Sequence, residues 1–171
     1  MAKHLLLLPI LAMIAPPAWS QPMTAVRGGH CYELQMPAYL TKAYDLNDAA
    51  SLQYKSLVRD AYVIVIEDAK DHLNSMGMVF GNAGEFLNYF VDDFKAGAQN
   101  RSLGEVLEFE ANGNRHAQAA LTWLENEVEF YMLITAVETR THFYKIMCWT
   151  TAAQAGRLGP DFEAISRSLT D

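Results

Sequence analysis

Residues 107–149 read LEFEANGNRHAQAALTWLENEVEFYMLITAVETRTHFYKIMCW, and this run decides the fold. Apolar residues recur at a period of two, and short polar clusters break the run, the signature of an antiparallel meander. If Asn112, Gly113 and Asn114 form a three-residue loop, Ala111 pairs with Arg115, and Phe109 falls beside Ala117 with Leu107 beside Ala119. A two-residue loop sets Glu108 beside Ala117 and mixes polar with apolar rows. The three-residue register is therefore expected, with Gly113 or Asn114 at positive φ. The turn around Glu125 and Asn126 pairs Trp123 with Val128, and the turn from Glu138 to Thr141 pairs Val137 with His142.

These registers gather Leu107, Phe109, Ala117, Ala119, Leu121, Trp123, Phe130, Met132, Ile134, Ala136, Phe143, Met147 and Trp149 on one face, interrupted only by Lys145. The opposite face carries Glu110, His116, Gln118, Thr122, Glu129, Tyr131, Leu133, Thr135, His142, Tyr144, Ile146 and Cys148, a mixed set expected to be partly covered.

Upstream, Tyr32, Leu34 and Met36 alternate with polar neighbours until Pro37, a half-buried strand. Leu52 and Tyr54 mark a short second strand. Tyr62 to Ile66 is apolar at every position, as in a strand covered on both faces. Glu67 through Asn82 reads as an irregular connection with one helical turn. Asn82 and Glu85 then have the spacing of a capping box, and Phe86, Leu87, Phe90, Val91 and Phe94 share one helix face, with Gly97 as the expected stop. Downstream, a last helix is expected to begin near Pro160 and to present Phe162, Ile165 and Leu169 to the sheet.

The amino terminus differs in kind. Met1 to His4 is a short basic start, Leu5 to Ile14 is apolar but too short to span ~30 Å of hydrocarbon, and Pro16 and Pro17 break any helix. Ala18 and Ser20 supply the small residues of a signal-peptidase site. Residues 1–20 are thus expected to be a signal peptide, cleaved before Gln21, followed by a mobile segment over 21–30 and a single domain over 31–171. The mature protein is expected to be exported, periplasmic or secreted, with no membrane attachment after cleavage. Cys31 lies too far beyond the apolar stretch to be a lipidation site.

Export changes the meaning of the two cysteines, because an oxidising compartment lets Cys31 and Cys148 close a disulfide. A loop of about 118 residues closed in this way contributes on the order of 4 to 5 kcal/mol in the chain-entropy model. Each cysteine also sits in an expected strand, where a lone thiol packs as a small hydrophobe, so both states stay open. No CxxC occurs, which removes the usual signature of redox catalysis and of structural zinc.

The whole chain has 171 residues, 51% of them apolar and 19% charged, with a formal net charge of −7. That size suits one domain. The acidic balance and the lack of a basic cluster exclude sequence-independent nucleic-acid binding.

The order of these pieces resembles PsbP-like proteins: Tyr32 to Pro37, Leu52 to Tyr54, Tyr62 to Glu67, a central helix, a long-stranded meander, and a closing helix over Phe162 to Leu169. That superfamily, which includes the Ran-binding Mog-one import factor, is built as an α/β/α sandwich on a central antiparallel sheet. The resemblance spans nearly all of residues 31–170 and implies the same α+β class. It also implies a protein that acts by binding other proteins, without a cofactor and without a catalytic centre.

Candidate chemistry is sparse. Glu110 and His116 are expected cross-strand neighbours, with His142 on the same face two strands away, a conceivable metal site or acid/base pair. Two strands of separation at ~4.8 Å each hold the two histidine backbones about 10 Å apart, too far for one zinc with ~2 Å bonds. His72 beside Glu67, Asp68 and Asp71 reads as a solvated connection. There is no GxSxG, no HExxH and no glycine-rich phosphate loop, and Asn100-Arg101-Ser102 is a glycosylation sequon by spelling only. Tyr39, Tyr44, Tyr89, Tyr131 and Tyr144, with Trp123 and Trp149, are expected in the core before any pocket or interaction patch. The expected function is an exported, non-catalytic binding or assembly module with a protein partner. The alternative is a small-ligand or metal-binding enzyme built on Glu110, His116 and His142.

Overall fold

The computed structural model describes residues 22–29 and 31–171; the expected signal peptide and its cleavage site lie outside the described residues. The strands are β1 (Met23–Gly28), β2 (Tyr32–Pro37), β3 (Thr41–Lys42), β4 (Leu52–Ser56), β5 (Ala61–Ala69), β6 (Gln99–Leu103), β7 (Leu107–Ala111), β8 (Asn114–Glu125), β9 (Val128–Glu138) and β10 (His142–Thr151). Helices α1 (Lys70–Ser75) and α2 (Ala83–Asp93) follow β5, and α3 (Ala152–Arg167) follows β10. An antiparallel sheet runs in the order β3-β4-β5-β10-β9-β8-β6, with β7 also paired to β8, while β1 and β2 form a separate ribbon.

Side-chain alternation builds a core on each face of this sheet. On one face, α2 lays Phe86, Leu87 and Val91 over Ala117, Ala119, Leu121, Met132, Ile134 and Met147. On the other, Tyr32, Leu34 and Met36 of β2 and Leu158, Phe162 and Ile165 of α3 cover Val63, Val65, Leu133, Val137, Ile146 and Cys148. The second face, expected to be only partly covered, carries a core of its own over most of its length, with Glu129 at one end exposed. Two of its buried polar side chains pair, with Gln118 Nε2 donating to Thr135 Oγ1 at 2.8 Å. Central β5 serves both cores, with Val63 and Val65 on one side and Ile64 on the other. The α/β/α sandwich read from the sequence is borne out.

The hairpin registers need correction. Ala111 pairs with Asn114, so the first loop is two residues, Asn112 at φ 51° and Gly113 at φ 76°. Asn-Gly is the preferred pair for a turn with both central residues left-handed, and this local preference outweighs the mixed row it creates. A slip of one residue turns β7 over: Phe109 faces His116, and Glu108 falls opposite Ala117. The cost of the mixed row is small because Glu108 sits at the sheet edge beside the start of α2, where an ideal Cβ on Gly84 would fall 2.5 Å from its Oε1. The other two hairpins slip by two residues, pairing Trp123 with Phe130 and Val137 with Tyr144. An even slip leaves every side chain on its expected face.

Other boundaries moved for local reasons. Residues 23–28, expected in a mobile segment, pair with β2 as β1. Helix α2 begins as expected, with Glu85 N–H donating to Asn82 Oδ1 at 2.8 Å, but ends at Asp93, before Gly97. The left-handed residue after it is Lys95 at φ 57°, and Arg101 of β6 caps the helix by donating to the Val91 and Phe94 carbonyls. Helix α3 starts at Ala152, straight off β10, with Pro160 inside it. Its early residues are mostly alanine, the best helix former, so the start signal at Pro160 was not needed.

Candidate binding cleft

The structure does not assemble Glu110, His116 and His142. The flipped β7 pairs Glu110 with Arg115, on the face opposite to His116, and leaves its carboxylate exposed. His116 is 1% exposed, and neither ring nitrogen makes a well-formed hydrogen bond among the described residues, the Ala111 backbone being its polar neighbour. Its ring stacks on Phe109 at 4.9 Å. Burial lowers its pKa; the Ala111 backbone opposes this, and the charge of Arg167 adds to the lowering. His142 stands at the start of β10 with Nδ1 2.9 Å from Thr141 Oγ1 and its ring against Tyr144. Among the described residues no group of three His, Cys, Asp or Glu is placed to hold a metal ion.

Cys31 and Cys148 are both free thiols, Cys31 exposed and Cys148 wholly buried. They occupy different environments: Cys31 precedes the β2 ribbon at the surface, while Cys148 lies in the core beneath α3. Burial pushes the Cys148 thiol up to about 12, opposed by the Ser166 hydroxyl, which makes it a packing residue and not a nucleophile.

A better candidate opens where α2 and the segment before it meet the sheet. A cavity of about 370 Å³ is lined by Leu73, Met78, Phe80, Phe86, Tyr89, Phe90 and Phe94, with Asp68, Asp93 and Lys145 as its charged groups. Strand and helix periodicity place these groups: Lys145 is the one cation in the apolar row of β10, and Phe86, Phe90 and Asp93 recur along one side of α2. Lys145 Nζ lies 2.9 Å from Asp68 Oδ2 and within 5.3 and 5.4 Å of the Phe86 and Phe90 ring centroids. An ion pair under aromatic faces satisfies the charge at the floor and keeps the lysine stem packed. The rim is apolar and open. Tyr89 is 61% exposed and meets Phe80 at 5.3 Å, while Met76 and Val79 on the adjoining segment are 52% and 75% exposed.

Sequence reasoning missed this cleft because Met76, Val79 and Phe80 lie in a connection without periodicity. The available signal was Lys145, a charge on an otherwise apolar face that must find a partner when buried.

An antiparallel sheet with helices on both faces, entered by a separate ribbon and closed by a carboxy-terminal helix, defines the PsbP-like kind of α/β/α sandwich. Solved structures carry the same fold. The cyanobacterial PsbP, CyanoP, of Synechocystis sp. PCC 6803 superposes with a TM-score of 0.58 at 17% identity, over 81% of this chain and 85% of that one. LpqN of Mycobacterium tuberculosis, described as involved in cell envelope biogenesis, gives 0.60 at 10% identity, over 87% and 90% of the two chains. PA94 of Pseudomonas aeruginosa, a putative regulator of unknown function, gives 0.53 at 13% identity, over 87% and 96%. The PsbP-like resemblance is thereby borne out at the level of fold. No family model matches the chain, and no curated protein does.

Proposed function

We propose that this protein is an exported, non-catalytic binding or assembly module that engages another protein through the open cleft between α2 and the segment over residues 76–80. The observation that carries this reading is the rim. Met76, Val79 and Tyr89 expose large apolar surface beside an aromatic cavity whose floor charges already satisfy each other. Exposed apolar side chains flanking an aromatic concavity are what a partner's apolar side chains meet.

Export is supported by the basic, apolar and small-residue order of residues 1–20. Among the described residues no helix is long and apolar enough to cross a membrane. LpqN, which shares the fold, is involved in cell envelope biogenesis, and this suits an exported protein. The site once conceivable around Glu110, His116 and His142 has no shared geometry to support an enzyme reading.

The test is affinity isolation of the protein from the exported fraction beside a Tyr89→Ala, Val79→Ser variant. A partner identified with the wild-type protein and lost with the variant, at unchanged melting temperature, supports the reading. A partner retained by the variant, or none recovered by either, contradicts it.

A further inference from the structure

Helix α2, with 11 residues, is about 16 Å long, whereas β8 with its 12 residues runs about 40 Å, so the helix cannot roof the whole face. Beyond the end of the helix the strand rows bring Trp123, Phe130 and Trp149 together, with Trp123 itself 4% exposed and Lys95 Nζ 5.5 Å from its ring centroid. Trp123 stacks on Phe130 at 5.2 Å and 17°, and Trp149 stacks on Tyr62 at 5.2 Å and 14°. Between them and the Leu46-Asn47 loop lies a groove of about 440 Å³, within the size range of small-molecule sites.

The wall opposite the rings is held in advance. The buried Gln53 side chain accepts from the Leu46 and Asn47 N–H groups at 2.8 and 3.2 Å and donates to the Asn47 carbonyl at 2.8 Å. A loop fixed in this way loses little freedom when a ligand arrives.

The polar groups of the lining select the ligand. Lys95 and Glu125 are the charged members, and they neutralise each other at 2.7 Å. Glu125 also accepts from Trp123 Nε1 at 3.0 Å. Asn47 Oδ1 is taken by the Ala49 N–H at 2.9 Å. Among the described residues, the lining side chains leave Asn47 Nδ2 and Trp149 Nε1 as donors without a partner, while Lys95 and Trp123 share Oε2 of Glu125 and its second oxygen, on a side chain 46% exposed, is left to solvent. Aromatic faces, a cancelled charge and two donors are complementary to a neutral ring system with an acceptor.

We propose that this groove is a binding site for an uncharged, planar aromatic or conjugated molecule bearing a carbonyl-type acceptor. The site shares Phe94 with the α2 cleft but none of the rim residues Met76, Val79 and Tyr89, and it does not depend on a protein partner.

The probe is 2-acetonaphthone, compared with naphthalene, which lacks the acceptor, and with 2-naphthoate, which is charged. Titrations into the 15N-labelled full chain follow the indole N–H signals of Trp123 and Trp149. The expected result is a saturable shift of both signals with the ketone at a dissociation constant below about 1 mM. Naphthalene and naphthoate are each expected to bind about tenfold more weakly. Asn47→Asp keeps the acceptor for the Ala49 N–H but loses the donor, and Trp149→Phe keeps the ring stack but loses Nε1. Each is expected to weaken the ketone while leaving the circular dichroism spectrum unchanged. If Trp149→Phe unfolds, Asn47→Asp on the exposed loop decides alone. Equal binding of the three probes, no saturable shift, insensitivity to Asn47→Asp, or a shift that follows protein concentration without ligand, as a second copy in the groove would give, overturns the proposal.

Discussion

The guanidinium of Arg167 lies 4.0 Å from the ring centroid of Phe109, at the end of α3. Phe109 stacks in turn on His116, so a fixed cation, an aromatic ring and a buried imidazole form one column between α3 and the β7–β8 hairpin. A second positive charge in that column is disfavoured by burial and by Arg167 alike.

The pH dependence follows from the sign of that shift. An unfolded histidine titrates near ~6.5, and His116 in the folded chain titrates lower. Between the two values the unfolded chain binds a proton that the folded chain does not. Its stabilising effect is therefore complete above the unfolded value and is lost as pH falls through that window. Urea midpoints measured at pH 7.5 and pH 5.5 are expected to fall less for His116→Leu than for the wild type. An identical drop in both contradicts the assignment.

Lys145 and Asp68 form the floor of the cleft with side chains 16% and 26% exposed. Lys145→Met keeps the stem against Phe86 and Phe90 and strands the carboxylate, and since the pair is partly solvated the cost is about 1–3 kcal/mol. The same substitution in an Asp68→Asn background is expected to cost less than half as much. A double-mutant cycle from urea denaturation measures the difference, and additive costs would show that the pair does not interact.

Asn112 holds two jobs at the first hairpin. Its left-handed backbone makes the turn, and its Nδ2 donates to the Arg167 and Leu169 carbonyls at 2.9 and 3.2 Å. Asn112→Gly keeps the backbone but removes both bonds, and is expected to cost about 1–2 kcal/mol. Asn112→Ala adds the strain of a left-handed alanine and is expected to cost more. Thermal unfolding of the two variants gives the order; Asn112→Gly as stable as wild type would deny the clamp on α3.

The thiols give a simple count. Exposed Cys31 is expected to react with a thiol reagent in the native protein, and Cys148 only after denaturation. One equivalent native and two denatured, with no prior reduction, agrees with the structure. No reaction before reduction would mean that the two are joined.

What the sequence made legible was the two-faced meander, because strand alternation survives any even slip in pairing. Trp123, Met132 and Phe143 share a face in spite of misplaced turns. Leu107 and Phe109 went to the wrong side because the one odd slip occurred at Asn112-Gly113, where turn chemistry outweighed row composition. β1 was illegible for a different reason: Met23 to Gly28 has little apolar alternation and is ordered mainly by its backbone pairing with β2. The cleft depends on tertiary placement of an aperiodic segment, so only its floor residue, Lys145, stood out in advance.

The measurement that bears most directly on the proposed role is photo-crosslinking in living cells from a benzoylphenylalanine placed at Val79, on the rim, and separately at Glu163, exposed on α3 across the sandwich. One discrete protein adduct from position 79 and none from position 163 is the predicted result. Adducts of equal yield from both positions, or none from position 79, would contradict a binding module that works through the α2 cleft.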